Sequence, residues 1–185
     1  SLAERLEQGP LTWREGLALG VRLAEGLAQA HDAGVIHRDV KPANVIASPA
    51  GAKLIDFDLA LIRPLGTTLR ATLTRLTQSG QGLGTLAYLA PEQLRDAHRV
   101  GPAADVYGLG VTLLHALSGA PPFAEVAPEA FLEALLERGP GPLAGRAAGL
   151  PLTVAVAVER AYALDPAQRY PDMHACAATW RALLS

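Results

Sequence analysis

Cysteine is all but missing from this chain. One residue in 185, Cys176, excludes an internal disulfide and fits a reducing compartment. It lies in the apolar run "HACAATW" and reads as a packing residue. Lysine is nearly as scarce, with two residues, Lys41 and Lys53, against fourteen arginines. That bias, with abundant Ala, Leu, Gly and Pro, looks like drift toward GC-rich codons. A surviving lysine is informative against it, because the two cations are not chemically equivalent. A basic block is absent too. Sixteen Lys and Arg face eighteen Asp and Glu, for a formal charge of -2. Neither a nucleic-acid stripe nor a polybasic membrane patch is expected. Long apolar runs are absent as well; "LPLTVAVAV" is far short of the ~20 residues that cross a bilayer. The opening "SLAERLEQG" is charged and amphipathic, unlike a signal peptide. The expectation is a soluble, cytoplasmic domain. Half of the residues are hydrophobic, enough for a sizeable core.

The pattern is mainly helical with one small hairpin. Thr12 to Ala33 carries Leu17, Val21, Ala24, Leu27 and His31 at helical spacing. Thr12 and Glu15 form a capping-box pair, and Gly34 suits the C-terminus. Val45–Ala47 and Lys53–Ile55 read as two short paired strands around "SPAGA". Arg63 to Gly84 is Thr-, Arg- and Gly-rich without a period and reads as a long loop. Its "GQGLGT" follows no strand, so a phosphate loop is not expected there. From Ala103 onward helices return. "DVYGLGVTLLHALSG" ends at Gly119, a short helix covers Phe131 to Arg138, and two more cover Thr153–Leu164 and Met173–Leu184. His98, His115 and His174 lack ligand spacing. Lys53 reads as a solvated strand residue, and Tyr88 and Phe123 as packing.

Chemistry concentrates in "VIHRDVKPANVIASPAGAKLIDFDLA", residues 35–60. Asp39 and Asn44 flank a loop, and Asp56 sits at a strand exit. Oxygen donors of the Asn and Asp type suit Mg²⁺, a hard cation that also keeps waters and phosphate oxygens. Lys41 can place a point charge on a phosphate while Asp39 accepts a hydroxyl proton. Phosphoryl transfer asks little more of a protein than positioning and electrostatics.

"HRDVKPAN" followed by "DFD" resembles the catalytic loop and metal motif of protein kinases, the Hanks-type Ser/Thr kinases in particular. "GTLAYLAPEQ", "DVYGLGVTLLHALSGAPPF" and "LDPAQRY" follow in that family's order, so the resemblance covers essentially the whole chain. It implies a protein-kinase large (C-terminal) lobe over 1–185. The catalytic loop is 37–44, the activation segment 56–92 and the helical subdomain 103–185. By the resemblance, Asp39 is the catalytic base. Lys41 contacts the γ-phosphate of ATP and favours Ser/Thr acceptors. Asn44 and Asp56 hold Mg²⁺ or Mn²⁺, and Thr85 bonds Asp39 and Lys41. His37 and Phe57 stack, Asp105 anchors the catalytic loop, and Glu92 pairs with Arg169. Arg38 is placed to receive a phosphorylated loop, with Thr77 and Ser79 as candidate phosphosites among Thr67, Thr68, Thr72 and Thr74. The partner implied is a protein substrate with a Ser or Thr acceptor.

Two departures qualify the match. Asp58 stands where the family usually has Gly. Held in the left-handed region it would cost about 1–2 kcal/mol, and it would restrict the motif's movement or perturb the metal. The β-rich small lobe is also not in the chain. Its Gly-rich loop, strand Lys and helix Glu have no counterpart, and "SLAERL" resembles the start of the large lobe. The expectation is a piece of a longer kinase, inactive by itself until a small lobe completes it in cis or in trans. The alternative is a non-catalytic large lobe acting as a protein-interaction module.

Overall fold

The computed structural model describes residues 1–48, 51–57, 82–95 and 100–185. Helices dominate them. In chain order these are α1 (Leu2–Leu6), α2 (Trp13–Asp32), β1 (Val45–Ser48), β2 (Gly51–Leu54), α3 (Gly82–Leu86), α4 (Pro91–Arg95), α5 (Ala103–Ser118), α6 (Phe131–Glu133), α7 (Leu152–Ala161) and α8 (Met173–Ala182). A π-helical turn, Ala134–Arg138, prolongs α6 in place of a plain helix to Arg138. None of the described helices is long and apolar enough to cross a membrane.

The capping box expected at Thr12 is present. Thr12 Oγ1 accepts from the Glu15 N–H at 3.3 Å, and Glu15 Oε2 accepts from the Thr12 N–H at 2.9 Å. The buried stripe of α2 packs on α5 and α8. Trp180 of α8 is fully buried and anchors that layer. Cys176, one turn earlier in the same helix, is also fully buried. Burial pushes its thiol pKa up, so it packs as a small apolar group.

The hairpin differs slightly from the expected strands. β1 and β2 pair antiparallel with Val45 opposite Leu54 and Ser48 opposite Gly51. Strand pairing therefore begins at Gly51 instead of Lys53. Ile55 lies just past the ladder, yet its N–H still bonds the Asn44 carbonyl at 2.9 Å. Lys53 is solvent-exposed, as expected. The end of the long loop is a second correction, since Gly82–Leu86 is helical despite two glycines. Leu86 and Ala87 are buried with Leu94, Phe123, Phe131 and Leu135 in a satellite core, and that packing overrides local propensity.

α5 is the centre of the molecule. Thirteen of its sixteen residues are buried, so it is covered on all sides. Gly110 lets α7 close against it, because a Cβ there would stand 2.8 Å from that of Ala161. Another face carries the loop that follows α2. In the first turn, Asp105 is 1% exposed. Its carboxylate accepts the N–H groups of His37 at 2.8 Å and Arg38 at 2.7 Å, together with His31 Nε2 at 2.7 Å. The helix N-terminus adds favourable partial charge. One turn on, a Cβ on Gly108 would meet the Val40 carbonyl oxygen at 3.0 Å, so the loop backbone rests on bare helix. Thr112 Oγ1 then donates to that same carbonyl at 3.4 Å.

Arg169 ties α4 to α5 and to the turn after α7. It spends all five N–H donors: on both Glu92 carboxylate oxygens, at 2.6 and 2.9 Å, and on the carbonyls of Ala163, Ala103 and Leu164. Its guanidinium also lies 4.9 Å from the Tyr107 ring centroid.

Two stability predictions follow from these contacts. Asp105→Ala strands two backbone donors and His31, and should lower unfolding free energy by about 3–5 kcal/mol in chemical denaturation. The Tyr107 hydroxyl is buried and has no hydrogen-bond partner among the described residues. Tyr107→Phe should therefore hold or raise stability, by up to about 1 kcal/mol in the same assay.

Candidate active site

The segment from His37 to Asn44 is too polar to be buried unless its groups bond one another, and they do. Asp39 is 8% exposed. Its Oδ2 receives Lys41 Nζ at 2.6 Å and Asn44 Nδ2 at 2.9 Å. The same Asn44 amide donates to the Asp39 carbonyl at 2.9 Å. The turn Pro42–Asn44, with Pro at its first position, brings Asn44 back over Asp39. A carboxylate, an ammonium and an amide thus meet at one oxygen atom in a largely desolvated spot, where charge-assisted hydrogen bonds are strong.

His37 joins this loop to the end of the hairpin. Its Nε2 donates to the Ile55 carbonyl at 2.9 Å, and its Nδ1 accepts the Asp39 N–H at 3.3 Å. The ring carries its proton on Nε2 and lies 4.5 Å from the Phe57 ring, edge to face. Arg38 and Asp56 both take positive φ, 65° and 63°. Non-glycine residues occupy that region at a cost and mostly where function or packing demands it. At Arg38 the strain is offset by the Asp105 carboxylate on its N–H and by Gln93 Nε2, which donates to its carbonyl at 2.8 Å. Arg38 Nε is buried and lacks a hydrogen-bond partner among the described residues.

The donor set fits Mg²⁺. Asn44 commits its amide nitrogen to Asp39, which leaves Oδ1 as the atom it can offer a cation. The Asn44–Ile55 backbone bond puts Asp56, an exposed carboxylate, at the same open end of the hairpin. Two oxygen ligands suit an ion that fills its octahedron with waters and phosphate oxygens. No cluster of three or more His, Cys, Asp or Glu residues suited to a metal occurs among the described residues.

The remaining candidates fall in three places. Thr85 lines a cavity together with Lys41, but the described donors to the Asp39 carboxylate are Lys41 and Asn44. Glu92, Asp105 and Arg169 form the supports described above. Asp58, Thr77 and Ser79 lie outside the described residues, with most of the activation segment. Two supporting residues were not singled out in the sequence. His31 falls at one more position on the buried stripe of α2, and a histidine on such a stripe is itself the signal of a buried partner. Gln93 follows the A-P-E motif, and nothing local announces its bond to a carbonyl 55 positions away.

Comparison with known proteins agrees with the geometry. Residues 1–139 match the family described as "Protein kinase domain". The chain is 44% identical over 117 residues to the probable serine/threonine-protein kinase PkwA of Thermomonospora curvata, covering 63% of this chain and 15% of that protein. It is 40% identical over 163 residues to the serine/threonine-protein kinase PknK of Mycobacterium tuberculosis, covering 87% and 14%. With the serine/threonine-protein kinase PknB of the same organism it shares 34% over 164 residues, covering 88% and 25%. The chain thus spans a quarter or less of the length of each of these relatives. Matched over most of its length by that domain, and built as a helical body with one antiparallel hairpin, the chain belongs to the protein kinase family and has the fold of its large lobe.

Proposed function

We propose that this chain is the catalytic large lobe of a serine/threonine protein kinase, completed by a small lobe in the working protein. It would transfer the γ-phosphate of ATP to Ser or Thr hydroxyls of protein substrates. One observation carries the reading: Asp39 Oδ2 gathers Lys41 Nζ and Asn44 Nδ2 within 2.9 Å. A base, a phosphate-binding cation and a metal ligand are thereby held together before substrate arrives. The relatives named as serine/threonine kinases support the class of acceptor.

In this reading the acceptor hydroxyl attacks the γ-phosphorus, the bond to the β,γ-bridging oxygen breaks, and Asp39 takes the hydroxyl proton. Lys41 offsets charge on the transferring phosphoryl group. Asn44 and Asp56 would hold Mg²⁺, which neutralises phosphate charge when bound. Phe57, Ile55, Val35 and Ile46 are each at least 36% exposed, large apolar side chains for a small lobe to cover. Arg38, whose Nε has no hydrogen-bond partner among the described residues, is the group we assign to a phosphate on Thr77 or Ser79.

The test uses the complete protein. Asp39→Asn keeps the shape and an acceptor oxygen but removes the base, so phosphate incorporation should fall by ~10²–10⁴-fold while circular dichroism still shows a folded protein. No incorporation by the unsubstituted protein would hand the chain to the non-catalytic reading, and incorporation that survives the substitution would remove Asp39 as the base. Asn44→Ala should raise the Mg²⁺ concentration needed for half-maximal rate. A metal dependence identical to wild type would remove Asn44 from the metal site.

A further inference from the structure

α2 turns one of its faces to the hairpin. Glu15, Ala18, Leu19 and Arg22 follow one another at helical spacing there and form one wall of a groove of about 550 Å³. α1 adds Leu2 and Arg5, and the hairpin adds Ala47 and Ala52. None of these residues belongs to the site around Asp39. We propose that this groove docks an acidic segment of a partner protein, with apolar side chains on its floor and carboxylates on its two arginines. Such a site would exist whether or not the chain transfers phosphate.

The floor argues for apolar side chains. Leu2 and Leu19 are buried beneath it. Small side chains at Ala18, Ala47 and Ala52 leave the space beside them open. The volume suits a short stretch of chain better than one side chain. The borders argue for carboxylates. Arg22 is exposed, and its Nη1 lies across the end of the hairpin, 3.3 Å from where a Cβ on Gly51 would stand. Arg5 is half-buried, and its Nη1 donates to the Gly9 carbonyl at 3.1 Å, which orients the guanidinium. Neither arginine has a carboxylate within ion-pair distance among the described residues. Glu15 is the one carboxylate in the lining. Its Oε2 already accepts the Thr12 N–H at 2.9 Å and the Thr12 hydroxyl at 2.7 Å. The groove is therefore locally basic in a chain of net charge -2. A basic segment would set like charges against both guanidinium groups. A wholly apolar one would cover them without supplying an anion. A nucleic acid would find two cations and an apolar floor, too little to follow a phosphate backbone. Carboxylates spaced by apolar residues match both features, and the guanidinium fork suits a carboxylate.

The test reads the labelled complete protein on an array of short peptides in which Leu, Ala, Glu and Lys are permuted. The best binder is then titrated in solution by fluorescence anisotropy. The strongest binders should combine Glu with Leu. Arg22→Glu should weaken them at least about tenfold and shift the array toward peptides of Lys and Leu. Ala47→Trp fills the groove from an exposed position on β1 and should weaken binding of every peptide. Arg138→Glu, at an exposed arginine outside the lining, should change nothing. No binding by any acidic peptide, as for a groove already covered by the protein's own chain, would overturn the partner site. So would a wild-type preference for Lys, equal binding of all-Glu peptides, or binding unmoved by both Arg22→Glu and Ala47→Trp. A single-stranded oligonucleotide that displaces the peptide and binds more tightly would assign the groove to nucleic acid instead. Autophosphorylation of the wild type is measured alongside; its absence would remove the phosphotransfer reading and leave the docking result standing.

Discussion

A single buried carboxylate organises this molecule. Asp105 sits in the first turn of a helix that is otherwise packed on all sides, and it takes two consecutive backbone N–H groups from the loop that follows α2. The loop there is irregular. It contains a residue at positive φ and a run of groups that could each bond water instead. Without a partner inside the protein, those N–H groups would have to stay wet, and the loop could not rest on α5. With Asp105 in place, the next contacts follow at helical spacing. Gly108 leaves room for the Val40 backbone, Thr112 caps the Val40 carbonyl, and His115 reaches the Tyr88 hydroxyl. One stripe of one helix thereby holds the loop that carries Asp39.

The second support works from the other side. Arg169 clasps Glu92 with two hydrogen bonds and donates to three backbone carbonyls. Glu92 is on α4, and Gln93 beside it reaches the Arg38 carbonyl. The loop is therefore fixed at both its amide and its carbonyl groups by elements distant in sequence. This is a costly way to add stability, since each buried charge gives up hydration. It is an effective way to add position. In the proposed phosphotransfer a base, a cation and metal ligands must be held in closely defined positions, so rigidity in these supports would serve that chemistry.

Desolvation differs sharply across the site. Asp39 and Asn44 are buried and bonded to each other, while Asp56 and Phe57 remain open at the end of the hairpin. In the proposed function, the preorganised half is the half that would handle the acceptor hydroxyl. The open half is where a nucleotide, a metal and a covering lobe would meet the chain.

Much of this was legible in the residues alone. Helical periodicity located α2, α5, α7 and α8 to within a few positions, because an amphipathic or fully buried helix writes its burial into spacing. The Thr12 cap was readable because capping is a contact between residues three apart. The grouping of Asp39, Lys41, Asn44 and Asp56 was visible because they lie close in sequence and resemble a known order of motifs. What only the tertiary structure decided are the contacts across long separations: His31 with Asp105, Gln93 with Arg38, Tyr88 with His115. It also turned Gly82–Leu86 into helix against its glycines and set the register of the hairpin. Local sequence determines local geometry because its interactions span a few residues. Which distant polar groups become partners is decided by the packing of α5 among the other helices, and no short stretch of chain contains that information.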